Sequence, residues 1–186
     1  MSFLLDKDIR DIFSTHYKKK FPNSNLLNEV RINNGLAIAD LVSVGEKTFH
    51  CYEIKSDRDK ITRIIDQSKY FDIAFNKISL ITTVAHQKRA LDIIPDYWGL
   101  IIVSNTPKIK IRYIRKASFS PLFSKQKTLL TLWRDELLGI MLMKNIIEKP
   151  TNKFSRNELI NILCTKLSTT EIYSSMNNYL VAREQN

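Results

Sequence analysis

The run from Ile78 to Val84, Ile-Ser-Leu-Ile-Thr-Thr-Val, carries no charge and is rich in β-branched residues. A strand with no polar face belongs at the centre of a covered sheet. Trp98 to Val103 reads as a second buried strand. Ile109 to Ile114, Ile-Lys-Ile-Arg-Tyr-Ile, alternates in period two and reads as an edge strand with one wet face. Helical spacing appears on either side of these strands. Ile9, Ile12, Phe13 and Tyr17 share one face of a helix over Asp6 to Phe21, which ends in Lys18, Lys19 and Lys20. The class this pattern implies is α/β.

Between that first helix and the buried run lies a strand-rich block. Phe21-Pro22-Asn23-Ser24-Asn25 breaks the chain, and Glu29 to Asn33 is a short β-compatible segment. Asn33-Asn34-Gly35 is a turn signal. Leu36 to Val44 and Thr48 to Lys55 then read as two strands joined at Gly45-Glu46-Lys47, pairing as an antiparallel hairpin. A helix is expected from Ser56-Asp57 to about Phe75, and a short one over His86 to Ile93. After Pro121 the character changes. Lys127 to Asn145 reads as one long helix, Pro150-Thr151-Asn152 as a break, and Arg156 to Lys166 and Thr169 to Arg183 as two more helices. The division expected is a core over 1–120 and a helical extension over 121–186, which either packs on the sheet or stands as a small separate module.

Charge narrows the partners. Lys and Arg number 29 against 19 Asp and Glu, a formal net charge of +10. Such a surplus favours a polyanion, because each cation placed near a phosphate releases a counterion. Cys51 and Cys164 lie far apart without metal-ligand spacing and read as reduced thiols of a cytoplasmic protein. The first residues, MSFLLDKDIRDIF, have acids in their first turns and lack the apolar core of a secretory leader. No apolar run approaches bilayer-spanning length, so no membrane role is expected.

The chemistry gathers on the hairpin. Asp40 sits inside the apolar strand Ala37-Ile38-Ala39-Asp40-Leu41-Val42, where an acid is costly to bury without a strong partner. Glu53-Ile54-Lys55 ends the next strand, and alternation puts Glu53 and Lys55 on one face with Ile54 on the other. The hairpin brings Asp40 and Glu53 onto neighbouring strands. Two adjacent carboxylates repel unless a cation lies between them, and oxygen donors with no Cys or His favour a hard ion, Mg²⁺ or Mn²⁺. Lys55 is placed to orient an attacking water or to offset charge growing on phosphorus. In the helix that follows, Asp59, Arg63, Gln67 and Tyr70 fall on one face beside the apolar Ile61, Ile64, Phe71 and Phe75. Gln67 and Tyr70 are candidates to hold a phosphate or terminal nucleotide, and Arg63 offers a bidentate phosphate contact.

Asp40, Glu53-Ile54-Lys55 and Gln67-Ser68-Lys69-Tyr70 together resemble the motifs of the PD-(D/E)XK nuclease superfamily. The likeness covers roughly Asp6 to Val103. It implies a restriction-endonuclease-like αβββαβ core with a central mixed sheet, carrying here an α-helical C-terminal extension. Gln67 and Tyr70 resemble the Gln–Tyr motif of the RecB-type and lambda-exonuclease-type branch, with a spacing one residue tighter than usual. Ala39 stands where the superfamily usually has Pro. The resemblance further implies that the backbone carbonyl of Ile54 completes the metal shell and that an acid from the first-helix region, best matched by Glu29, adds a ligand. The expected activity is Mg²⁺-dependent phosphodiester hydrolysis, on DNA in preference to RNA, in bacterial or phage DNA repair, restriction or defence.

Plainer readings stand beside these. Asp40 and Lys55 could form a buried salt bridge, although such pairs add little stability and leave the second acid unexplained. Glu29 could be a solvated strand-start acid, Gln67 and Tyr70 an ordinary half-exposed helix face, and Arg63 a solvated arginine. His50 faces away from Glu53 and reads as structural, and Trp98 and Trp133 read as core. The rival functions are a non-cleaving nucleic-acid-binding subunit and a protein-interaction factor with a basic surface. The C-terminal helices leave a homodimer or a protein partner open.

Overall fold

A computed structural model describes residues 3–105 and 107–184. Met1 and Ser2, at the head of the leader reading, lie outside the described residues. Helix α1 (Asp6–Lys20) buries Ile9, Phe13 and Tyr17, with Asp6 and Asp8 in its first turn and Lys18, Lys19 and Lys20 in its last. Both sets of charge suit the helix dipole. Three strands follow, β1 (Leu26–Ile32), β2 (Ala37–Val44) and β3 (Phe49–Lys55). Asn33, Asn34 and Gly35 join the first two, all with positive φ, a conformation that Asn and Gly tolerate best. Strand β1 starts earlier than expected, because Leu26 and Leu27 are buried on opposite sides of the sheet.

Next come α2 (Ile64–Ala74), β4 (Lys77–Thr83), α3 (Gln87–Ile93), β5 (Gly99–Ser104) and β6 (Lys110–Arg115). Among the described residues the strands form one six-stranded sheet in chain order. The pairs β1–β2 and β2–β3 are antiparallel, β3–β4 and β4–β5 parallel, and β5–β6 antiparallel at the far edge. The expected hairpin, the two buried central strands and the edge strand are all present. No helix among the described residues is long and apolar enough to cross a membrane.

Helix α2 begins later than the sequence suggests. Asp59 accepts hydrogen bonds from the Ser56 amide and hydroxyl, which turns the chain before a helix can start. Asp57 accepts from the Leu4 amide and the Thr83 hydroxyl, so it ties the N-terminal segment to β4 rather than capping a helix. The expected long helix over Lys127 to Asn145 is two helices, α4 (Lys125–Leu129) and α5 (Arg134–Met143). Glu136 reaches back to the Trp133 amide at 2.6 Å and starts α5 afresh. Helices α6 (Arg156–Lys166) and α7 (Thr169–Glu184) end the described chain.

The sheet is covered on both faces. Leu41, Tyr52, Ile54, Ile81, Ile101 and Val103 pack against α1. Val42, Val44, Cys51, Ile78, Leu80, Leu100 and Ile102 share a second core with α2 and the C-terminal helices. That core runs unbroken from Leu27 to Leu180, so residues after 120 close the same hydrophobic layer as the sheet.

Candidate active site

The β2–β3 ladder stops at Leu41 opposite Tyr52. One residue further on, the two strands are joined by a side chain instead. Asp40 Oδ2 accepts the Ile54 amide at 2.8 Å, taking the place of a backbone acceptor. A partly exposed acid thus sits at a split between two strands, with its carboxylate turned toward Glu53-Ile54-Lys55.

Glu53 is 2% exposed and Lys55 8%. The ammonium of Lys55 donates to Glu53 Oε1 at 2.5 Å. Glu53 Oε2 is buried and has no hydrogen-bond partner. Burial first, and then the charge of Asp40, push the Glu53 carboxyl up to about 8, against the opposing pull of Lys55. Desolvation and a like charge therefore outweigh the ion pair. Below Lys55, Thr82 on β4 donates its hydroxyl to the Lys55 carbonyl at 2.7 Å and holds that end of β3 in place.

Arg10 completes the cluster, and the sequence reading missed it. From α1 it donates to Asp40 Oδ1 at 3.1 Å and to the Asp40 carbonyl at 2.7 Å, and it also pairs with Asp6. Its position in a polar stripe of an amphipathic helix looked like that of any solvated arginine. The only available signal was an Arg one residue after the buried Ile9, on a helix bound to cover the sheet.

The remaining candidates are dispersed. Glu29 is exposed with φ 50°, at an irregularity in β1, and lines a cavity with Trp133 and Arg183. It does not make a three-acid cluster with Asp40 and Glu53, and no group of three or more His, Cys, Asp or Glu able to hold a metal occurs among the described residues. Gln67 is half-buried, with Oε1 enclosed and unpartnered. Tyr70 packs against the α2-side core, with the Lys69 ammonium 5.0 Å from its ring centroid. Arg63 is exposed in a short 3₁₀ turn before α2. His50 stacks on Tyr52 and meets Ser79 Oγ at 2.9 Å; burial, then Lys77, depress its pKa to about 3. Trp98 is core, donating to Asp72 at 2.7 Å, whereas Trp133 is 64% exposed, contrary to its expected burial. Its ring ends at the α4–α5 break that the sequence pattern hid.

Fold and site together define a mixed α/β protein with an acid–acid–lysine cluster at a split in its sheet. The chain belongs to the family of bacteriophage P4 protein cII, whose model matches residues 11–186. Protein cII of Enterobacteria phage P4 is 25% identical over 158 residues, covering 84% of this chain. The chain spans 58% of the length of that relative. Among solved structures, the SPO1766 protein of Silicibacter pomeroyi aligns with a TM-score of 0.51 at 11% identity, over 83% of this chain and 100% of that one. That likeness is one of fold.

Proposed function

We propose that this protein is a metal-dependent nuclease of the PD-(D/E)XK type, acting on DNA. The observation that carries the reading is the buried Glu53 carboxyl, whose Oε2 receives no hydrogen bond, set against the Asp40 carboxylate and on one strand face with Lys55. A protein does not usually leave such an atom unsatisfied without a role for it. The element order from α1 to β4 is α-β-β-β-α-β, with β3 and β4 parallel, which supports a restriction-endonuclease-like core. The likeness to protein cII is neutral on activity, so the reading rests on the site.

The donor set fits a hard divalent cation. Asp40, Glu53 and the Ile54 carbonyl would hold Mg²⁺ or Mn²⁺, with water filling the other positions, as Mg²⁺ prefers. The bound ion would polarise a phosphoryl oxygen and make its water more acidic. Lys55, freed from Glu53, would donate to the attacking water or to the charge that grows on phosphorus. Gln67 and Tyr70 remain candidates for positioning the strand, and Arg63 for a phosphate. Exposed Lys110 and Arg112 on β6, with Lys108 and Lys116 flanking, supply part of a surface that suits a polyanion. A place in phage or bacterial DNA repair, restriction or defence follows by analogy alone.

One observation favours the rival, a non-cleaving nucleic-acid-binding subunit: both Asp40 oxygens are already engaged, by Arg10 and by the Ile54 amide. The same experiment decides between them. Linear and circular DNA are incubated with Mg²⁺ or Mn²⁺, beside calorimetric titration of the ion, for wild type, Asp40→Ala and Glu53→Ala. Cleavage and ion binding by wild type, both lost in each variant, are expected. Ion binding by either variant at wild-type strength places the metal elsewhere, and a wild type that binds DNA without cutting it makes the rival correct.

A further inference from the structure

Edge strand β1 and the C-terminal helices enclose a cavity of about 630 Å³. Clefts for small ligands have this size. Trp133 on its wall is 64% exposed, and the Arg183 guanidinium lies 4.2 Å from the ring centroid. One face of the indole is therefore covered by a cation, and that degree of exposure leaves the other face open. Thr131, 4% exposed, also lines the cavity. Arg183 pairs with Glu136 through Nε and Nη2 and donates Nη2 to the Thr131 carbonyl, leaving Nη1 without a hydrogen bond among the described residues. Arg156 also lines the cavity, held by the carbonyls of Leu130 and Leu132. Burial, and then repulsion from Arg183, lower its pKa against the opposing pull of Glu136, so the two guanidiniums act on one another across this wall.

We propose that this cavity binds an unpaired nucleotide of the DNA strand presented to the acid cluster, its base stacked on Trp133 and its phosphate on Arg183 and Arg156. An open aromatic face beside cations is how proteins hold single strands without reading sequence. Glu29 at the mouth is a free acceptor for the amino group of a base. Its place in β1, between the pairs Asn28–Leu41 and Val30–Ala39, sets it opposite Asp40. Neighbouring strands lie roughly 5 Å apart, so the cavity wall and the acid cluster are adjacent along the sheet. This assignment rests on the nuclease reading for its substrate, but its test does not.

Trp98 is fully buried, so quenching of intrinsic fluorescence by a ligand reports Trp133. Wild type in EDTA, where nothing is cut, is titrated with a short single-stranded oligonucleotide, a blunt duplex of the same sequence, and a mononucleotide. Saturable quenching by the single strand, with the duplex and the mononucleotide far weaker, is expected. Trp133→Phe removes the signal and, by fluorescence anisotropy, binds more weakly because the smaller ring stacks less on the base; unchanged affinity puts the base elsewhere. Equal quenching by the mononucleotide makes the cavity a free-nucleotide site and overturns the strand assignment. Equal quenching by the duplex overturns the unpaired base, and no quenching overturns the site altogether. Cleavage without quenching sinks the cavity assignment alone, and quenching without cleavage sinks the nuclease reading alone.

Discussion

Replacing Glu53 by Gln keeps the side chain's shape and removes its titration, which isolates what the buried carboxyl does to stability. In the folded protein Glu53 holds its proton up to about 8, whereas in the unfolded chain it loses it near 4.5. Between those values the folded state binds more protons at Glu53, so its contribution to stability is fully present below 4.5 and is lost as pH rises toward 8. His50 has the opposite sign. Its folded pKa of about 3 lies below the unfolded 6.5, so its contribution grows as pH rises through that interval and is level above it. The window from 6.5 to about 8 therefore belongs to Glu53. At about 1.4 kcal/mol per pH unit, metal-free wild type should lose about 2 kcal/mol across it. For a chain of this length that is a fall in Tm of roughly 4–8 °C. The assay is urea and thermal unfolding in EDTA at half-unit steps from pH 6 to 8.5. Glu53→Gln should be flat over the same range. Added Mn²⁺ should stabilise wild type more at pH 8 than at 6.5, because the ion takes the ionised form. A wild-type curve parallel to that of Glu53→Gln would refute the account of Glu53 as a carboxyl kept neutral by burial and by Asp40.

Three further outcomes follow from the site. Lys55→Ala should hold Mn²⁺ at least as well as wild type yet cut on the order of 10²-fold more slowly in single turnover, since Lys55 has no oxygen to give the ion; Lys55→Arg should rescue poorly, and a wild-type rate for Lys55→Ala would reduce Lys55 to a salt-bridge residue. Arg10→Met should raise Mn²⁺ affinity in calorimetry, because it removes the cation that competes for Asp40 Oδ1, and unchanged affinity would show that Arg10 does not compete. DNA affinity measured from 50 to 200 mM salt should fall steeply, as counterion release by excess Lys and Arg requires, whereas a flat response would favour an acidic protein as the partner.

Much of the sheet was legible because strand patterns are local. Charge-free Ile78 to Val84 had to be central, and Leu36 to Val44 and Thr48 to Lys55 had one short turn between them, which left antiparallel pairing as the simple outcome. Alternation likewise put Glu53 and Lys55 on one face, and they do meet. The errors fell where a polar side chain is spent on a contact that the surrounding pattern does not reveal. Ser56-Asp57 looked like a helix start, but Asp57 is spent on Leu4 and Thr83. Lys127 to Asn145 has continuous helical character, yet Glu136 restarts the helix at Trp133 and turns that ring outward. Glu29 lines the cavity beside β1, and its positive φ has no signature in an acidic residue.

By itself the sequence determined the kind of layers, the hairpin and the shared face of Glu53 and Lys55, because periodicity and turn residues act over a few positions at a time. Only the tertiary structure decided what those residues meet. Arg10 reaches Asp40 across 30 positions because α1 is laid over the sheet, and Arg183 reaches Trp133 because α7 returns to the edge of β1. Hydrophobic patterning tells each element which side to bury, but it is indifferent to which polar residue arrives opposite which. Those meetings are set by how the buried faces dock, and at this protein's two candidate sites they involve the residues that no local pattern distinguishes from ordinary surface charge.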